Sequence, residues 1–357
     1  MTRLPAQGIR LALLSALLFG VSTPLAKALL AGVQPQVLAG LLYLGSGAGL
    51  ALFWFTRWRR REPKSEGLRE APLTRRDLPW LASATVAGGI VAPVLLLAGL
   101  TRTPASVASL LLNLEGVFTA LLAWVVFREN VDRRIFLGMA SIVAGGALLS
   151  WPSSLTGTRM AGPVLVSAAC LGWAVDNNLT QKVSSGDPVQ IAGVKGLIAG
   201  TVNLALGLML GAAVPHGSHV LEAMVVGLLG YGVSLVLYVR AMRDLGTART
   251  GAYFALAPFV GAALGLMLFR EPLSWYFLLA AALMGFGLWL HLSERHEHQH
   301  VHAPMVHTHL HRHDQHHQHA HDPDDPPEEP HSHPHQHEPT AHSHPHYPDI
   351  HHRHGHG

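Results

Sequence analysis

Ten stretches of this chain are apolar for long enough to cross a lipid bilayer. A spanning helix needs about 20 mostly apolar residues, because each rises 1.5 Å across a hydrocarbon layer of roughly 30 Å. The stretches are Gly8 to Leu30, Gln36 to Thr56, Pro79 to Leu100, Pro104 to Phe127, Ile135 to Trp151, Ala161 to Val183, Pro188 to Ala213, His219 to Arg240, Gly246 to Phe269 and Leu273 to Leu292. The connections between them are too short for a soluble domain, apart from a basic loop at 57–78. From His296 onward apolar side chains are rare and follow no period, which predicts a disordered tail over 296–357.

Composition agrees with lipid as the solvent. The charged fraction of 13% is about half the ~25% of a soluble domain. The first apolar stretch follows Arg3 and Arg10, as a signal peptide would, but its length and the similar stretches after it predict an uncleaved first helix. The one cysteine, Cys170, lies in an apolar run, so neither an intrachain disulfide nor a thiolate zinc motif can form.

Loop charge gives orientation, since cytosolic loops collect Lys and Arg. With the N-terminus inside, the inner side holds seventeen basic residues and the outer side three, Arg102, Arg159 and Arg270. An even number of helices returns the tail to the cytosol. The basic excess therefore reflects membrane topology and calls for no nucleic-acid partner.

Two internal matches indicate a duplication. Phe127-Arg128-Glu129 recurs as Phe269-Arg270-Glu271 at an offset of 142. At an offset of 154, Gln36-Val37-Leu38-Ala39 falls on Gln190-Ile191-Ala192-Gly193, and Phe19-Gly20-Val21 on Trp173-Ala174-Val175. The predicted fold is all-α and integral to the membrane: a five-helix repeat over 1–151 and a second over 152–295. Five is odd, so the second copy enters the bilayer inverted, as in many secondary transporters.

The stretches LLLNLEGVFTALLAWVVFRENVDRRIFLGMASIVAGGALL and AYFALAPFVGAALGLMLFREPLSWYFLLAAALMGFGLWL, with the opening LLSALLFGVSTPLAKALL, resemble the EamA-type repeat of the drug/metabolite transporter superfamily. The resemblance covers residues 8 to 292. It implies ten helices around a central cavity and movement of small metabolites by alternating access. One departure stands out: the second helix lacks the expected basic residue near LAGLLYLG, whereas its repeat partner carries Lys195.

Ionisable groups at membrane depth are costly and face a cavity or a partner. Glu115 lies near the middle of the fourth stretch, Asp176 in the sixth and Lys195 about two turns into the seventh. Asn177 and Asn178 follow Asp176, and the 154-residue offset lays this triplet on Ser22, Thr23 and Pro24. Two readings stay open, a lined substrate pathway or helix-to-helix hydrogen bonding. Glu115 and Asp176 are also candidates for proton coupling. Lys27, toward the outer end of the first stretch, is expected to snorkel to the interface. Pro24, Pro93 and Pro258 interrupt helical hydrogen bonding and are candidate hinges.

The tail holds 23 of the 26 histidines, beginning with His296, His298, His300 and His302. Imidazole ligates zinc, nickel and copper, so the tail is expected to bind such ions, although its spacing matches no zinc finger. No cofactor is required. The expected function is a secondary transporter of small metabolites in a bacterial cytoplasmic membrane, with proton coupling as an open feature. The alternative is a divalent-metal exporter for zinc, nickel or cobalt whose tail collects cytosolic ions. No nucleophile and base share one depth, so an enzyme is not expected. Expected partners are a small-molecule substrate and the bilayer, with a homodimer left open.

Overall fold

In hydrocarbon every backbone N–H and C=O must bond within its own segment, so long apolar runs fold as helices. The computed structural model describes residues 6–59, 74–127, 133–150, 160–180, 183, 187–245, 247–292, 297–301, 305–311, 331–337 and 341–345. Most of the basic loop, with Arg128, Glu129, Lys182, His296 and His302, lies outside those residues.

The first half begins with α1 (Ala6–Leu29) and α2 (Pro35–Arg59). The third stretch is α3 (Leu78–Ala84), a π-helical turn at Thr85–Val91, and α4 (Ala92–Leu100). The fourth is interrupted: α5 (Ala105–Leu111) and α6 (Leu114–Phe127) meet at a turn, and α7 (Arg133–Ser150) follows. Next come α8 (Ala161–Thr180) and α9 (Pro188–Met209). The eighth stretch repeats the device of the third: α10 (Gly217–Gly227), a π-turn at Leu228–Val233, and α11 (Ser234–Leu245). The ninth repeats that of the fourth, with α12 (Thr247–Phe254) and α13 (Ala257–Phe269) separated by a turn, before α14 (Trp275–Leu292).

Among the described residues seven helical segments are long and apolar enough to cross a membrane, and Ala257–Phe269 and Trp275–Leu290 are apolar but shorter. Helix α8 has 20 residues, but Asp176, Asn177 and Asn178 dilute its apolar character. Pro258 sits in the first turn of α13, where a missing N–H costs no helical bond. Pro24 lies inside α1, and Pro93 lies inside the continuous helical run Leu78–Leu100, just after the π-turn.

The segments pack in a regular pattern. Helix α2 lies along α9, α7 along α14, and α5 along α13, while α1 packs on α11 and α13, and α8 on α4 and α6. At the α2–α9 crossing a Cβ on Gly47 would strike the backbone of Leu197, so only glycine permits the approach. Leu38, Leu42, Leu96, Leu97, Leu110, Leu111, Val166 and Met284 form the buried core. Large apolar side chains such as Leu17, Val125, Met267 and Trp289 point outward, the arrangement lipid favours and water penalises.

Within the tail the described residues lie in four short strands. Strands β1 (Glu297–Val301), β2 (Met305–His311), β3 (His331–His337) and β4 (Ala341–Pro345) form two separate antiparallel pairs, β1 with β4 and β2 with β3. The His-x-His alternation has the two-residue period of a strand. His298 stands opposite His344 and His300 opposite His342; His307, His309 and His311 stand opposite His335, His333 and His331.

Candidate functional site

The last turns of α8 carry the most polar run in the apolar region. Asn178 Nδ2 donates back to the Ala174 carbonyl at 2.8 Å, and Thr180 Oγ1 donates to Asp176 Oδ1 at 2.8 Å, so the polar side chains first bond along their own helix. From α9, Lys195 Nζ then reaches Asp176 Oδ1 at 2.5 Å and Thr180 Oγ1 at 3.2 Å. The pair is largely withdrawn from solvent, with side-chain exposures of 15% for Lys195 and 11% for Asp176. Burying two charges is tolerated when each compensates the other, and Thr180 adds a second donor to the same carboxylate oxygen, Oδ1.

Glu115 occupies a different setting from the mid-helix position the sequence suggests. Helix α5 ends at Leu111 and α6 starts at Leu114, so Glu115 stands in the first turn of a new helix. Backbone bonding carries through the turn, with Glu115 N donating to the Leu112 carbonyl at 3.1 Å. Asn113 Nδ2 donates at 2.8 Å to the Leu110 carbonyl, which also accepts from Asn113 N at 3.1 Å. Asn177 Nδ2 donates to Glu115 Oε1 at 2.8 Å and lies 3.4 Å from Thr119 Oγ1. Glu115 is half-buried and Asn177 exposed, so this pair borders accessible space. Among the described residues no cation pairs with Glu115.

The π-turn at Thr85–Val91 supplies a third side of the site. Its Gly88 carbonyl accepts from Tyr43 Oη at 2.8 Å and Trp173 Nε1 at 2.9 Å, and its Gly89 carbonyl accepts from Asn203 Nδ2 at 3.0 Å. Gln36 Nε2 in turn donates to Asn203 Oδ1 at 3.1 Å. Gly88 lies against the Asp176 carboxylate so closely that a Cβ there would collide with it. Aromatic rings continue the wall: Tyr43 to Tyr231 at 5.6 Å between centroids, Tyr231 to Phe19 at 6.0 Å, Phe19 to Phe254 at 5.3 Å and Phe254 to Tyr238 at 5.0 Å.

Asp176, Asn177, Asn178, Lys195 and Glu115 thus come together at the facing ends of α6, α8 and α9. Ser22 and Thr23 are buried in α1, and Ser22 Oγ donates to its own helix at the Phe19 carbonyl, 2.6 Å away. No hydrogen bond joins them to the Asp176 cluster among the described residues; Ser22 instead presses on Gly230 of the second π-turn. Lys27 does not snorkel outward. Its ammonium donates to the Leu100 carbonyl and, at 3.0 Å, to that of Thr103, capping the end of α4. Nearby, the Glu271 carboxylate accepts from Ala105 N at 2.6 Å, Ser106 N at 3.0 Å and the Ser106 hydroxyl, capping α5. Arg270, at φ 50°, makes the left-handed turn that brings Glu271 back to α5.

Sequence reasoning missed Thr119, Thr180, Tyr43, Trp173 and Asn203. Thr119 and Thr180 lie four residues after Glu115 and Asp176, a spacing that marks one helical face and was available as a signal. Tyr43 and Asn203 lie on other segments, and nothing in their local sequence ties them to Gly88 or Gly89.

A profile of the EamA-like transporter family matches this chain twice, over residues 6–151 and 160–293. An uncharacterized transporter of Methanothermobacter thermautotrophicus is 32% identical over 267 residues, covering 72% of this chain and 77% of its own. A probable amino-acid metabolite efflux pump of Salmonella typhimurium is 29% identical, covering 79% and 93% respectively. A solved crystal structure with 17% sequence identity shares the fold at a TM-score of 0.57, covering 79% of this chain and 95% of that one. The multi-pass apolar helices and these matches agree, and the chain belongs to the EamA-like transporter family.

Proposed function

We propose that this protein is a secondary transporter of small zwitterionic metabolites, working by alternating access across a bacterial cytoplasmic membrane. The observation that carries the reading is a cluster at membrane depth holding charges of both signs, Lys195 with Asp176, and Glu115, which meets Asn177 and, among the described residues, no cation. A substrate bearing an ammonium and a carboxylate meets a partner for each. The relative named as an amino-acid metabolite efflux pump points to the same chemistry. We assign Glu115 as the proton-coupling acid, because Asp176 already has a cation and Glu115 borders accessible space.

Ten segments in two inverted five-helix halves are the architecture proposed. The π-turns in the third and eighth segments support it, as do the breaks in the fourth and ninth and the twofold match of the family profile. The packing pattern also supports it, because the second, fourth and fifth segments each lie on their own counterpart. Cytosolic termini follow from the loop charges.

Proteoliposomes loaded with a neutral amino acid, its decarboxylated amine, its deaminated acid, or Zn²⁺ test the proposal. Flux of the amino acid alone is the expected outcome, reduced at least tenfold in Lys195→Ala and in Glu115→Gln. Equal movement of all three organic compounds would remove the charge argument. Zn²⁺ flux that survives removal of residues 296–357 would establish the metal exporter instead.

A further inference from the structure

A π-turn inserts one extra residue into a helix, leaves a carbonyl outside the regular bonding pattern, and is frequent at working sites. Among the described residues there are two such turns, in segments three and eight, and their surroundings differ. Tyr43, Trp173 and Asn203, from α2, α8 and α9, hold the carbonyls of Gly88 and Gly89 in the first. In the second, among the described residues, no side chain donates to a carbonyl of 228–233.

What flanks the second turn is firmly attached on each side. Before it, α10 is seated on α2, where a Cβ on Gly227 would strike the Leu42 carbonyl. After it, Ser234 is tied to α1 by a reciprocal clasp: Ser15 Oγ donates to the Ser234 carbonyl at 2.8 Å, and Ser234 Oγ donates to the Ser15 carbonyl at 3.0 Å. Both serines are buried, so water does not compete for these bonds. Inside the turn Gly230 packs against Ser22, and Tyr231 meets the Ser22 side chain and the ring of Phe19 on α1 and that of Tyr43 on α2. Helix α10 therefore belongs with α2 and helix α11 with α1, and the link between them is an irregular turn whose backbone carbonyls, among the described residues, receive no side-chain donor.

We propose that the π-turn at Leu228–Val233 is the joint about which α1 and α11 move relative to α2 and α10. The π-turn at Thr85–Val91 is its fixed counterpart, pinned by Tyr43, Trp173 and Asn203. The fixed turn seats Asp176, and the moving joint carries Tyr231, so motion at the joint shifts the aromatic wall against a stationary ion pair. This asymmetry goes beyond the transport reading and does not depend on which compound is carried.

Hydrogen exchange read by mass spectrometry on the full chain in lipid nanodiscs, with no ligand added, tests it. Both turns lie within comparable apolar segments, so water access affects them alike. Amides of 228–236 are expected to exchange at least roughly tenfold faster than those of 85–93, about the protection one net hydrogen bond confers. Equal rates, or the reverse order, overturn the proposal. The double variant Tyr43→Phe/Trp173→Phe is expected to raise exchange at 85–93 toward the level of 228–236 while leaving the latter unchanged. A folded double variant with no local rise also overturns it. The wild-type comparison needs no variant, so it decides the matter even if the double variant fails to fold.

Discussion

Removing Lys195 leaves the Asp176 carboxylate buried against Gly88 with Thr180 as its remaining partner. Breaking a buried pair by deleting one member costs about 3–5 kcal/mol, chiefly because the surviving charge is uncompensated. The low side-chain exposures of 15% and 11% place this pair in that regime instead of the ~0–1 kcal/mol of a surface pair. At roughly 2–4 °C per kcal/mol for a chain of this general size, Lys195→Met should lower the melting temperature by about 6–20 °C. The isosteric Asp176→Asn change in the same chain removes the stranded charge, so the double variant Asp176→Asn/Lys195→Met should recover most of that loss. Thermal unfolding of wild type, both single variants and the double variant in one detergent closes the cycle. A Lys195→Met protein melting within 2 °C of wild type, or a double variant no more stable than the single, would refute the burial argument. Transport separates the two roles of the pair: the double variant should regain stability and still fail to carry the zwitterion.

Other expectations follow from single contacts. Glu115→Gln keeps a hydrogen-bonding partner for Asn177 but cannot release a proton; accumulation driven by a pH gradient should disappear, and gradient-driven accumulation in this variant would exclude Glu115 from coupling. Glu271→Ala uncaps α5 and should cost about 1–2 kcal/mol, read as a lower melting temperature. Gly88→Ala should be strongly destabilising because its Cβ meets the Asp176 carboxylate, whereas Gly116→Ala, which meets nothing within 4 Å, should stabilise α6 by up to ~1 kcal/mol; comparing the two melting temperatures checks the close approach. Deleting residues 296–357 should abolish retention on immobilised Ni²⁺ and leave organic flux unchanged, and loss of flux would show that the tail is part of the transport machinery.

The period and length of the apolar runs were enough to locate the membrane segments, because hydrocarbon admits only backbone bonded within its own segment. They also marked Glu115, Asp176 and Lys195, since an ionisable group at that depth is costly and stands out against Leu, Ala and Gly. Interruptions within the runs were not legible. Breaks at Leu112–Asn113 and Ala255–Leu256 and two π-turns leave an apolar stretch equally apolar, and only prolines advertise such irregularities. Pro93 and Pro258 lie beside two of them, Pro93 within the continuous helical run Leu78–Leu100 and Pro258 in the first turn of α13.

Pairing was settled by the tertiary structure alone. Sequence adjacency grouped Asp176 with two asparagines, yet space gives Asp176 to Lys195, Asn177 to Glu115 and Asn178 to its own backbone. It also draws Lys27 inward to the α4 carbonyls, because an unsatisfied helix end is a stronger lure at that position than the interface. Composition along one dimension fixes which residues must leave lipid. Which of them meet depends on helix contacts many residues apart, such as the Gly47 crossing and the seat of Gly88 on Asp176, and these exist only once the segments have packed.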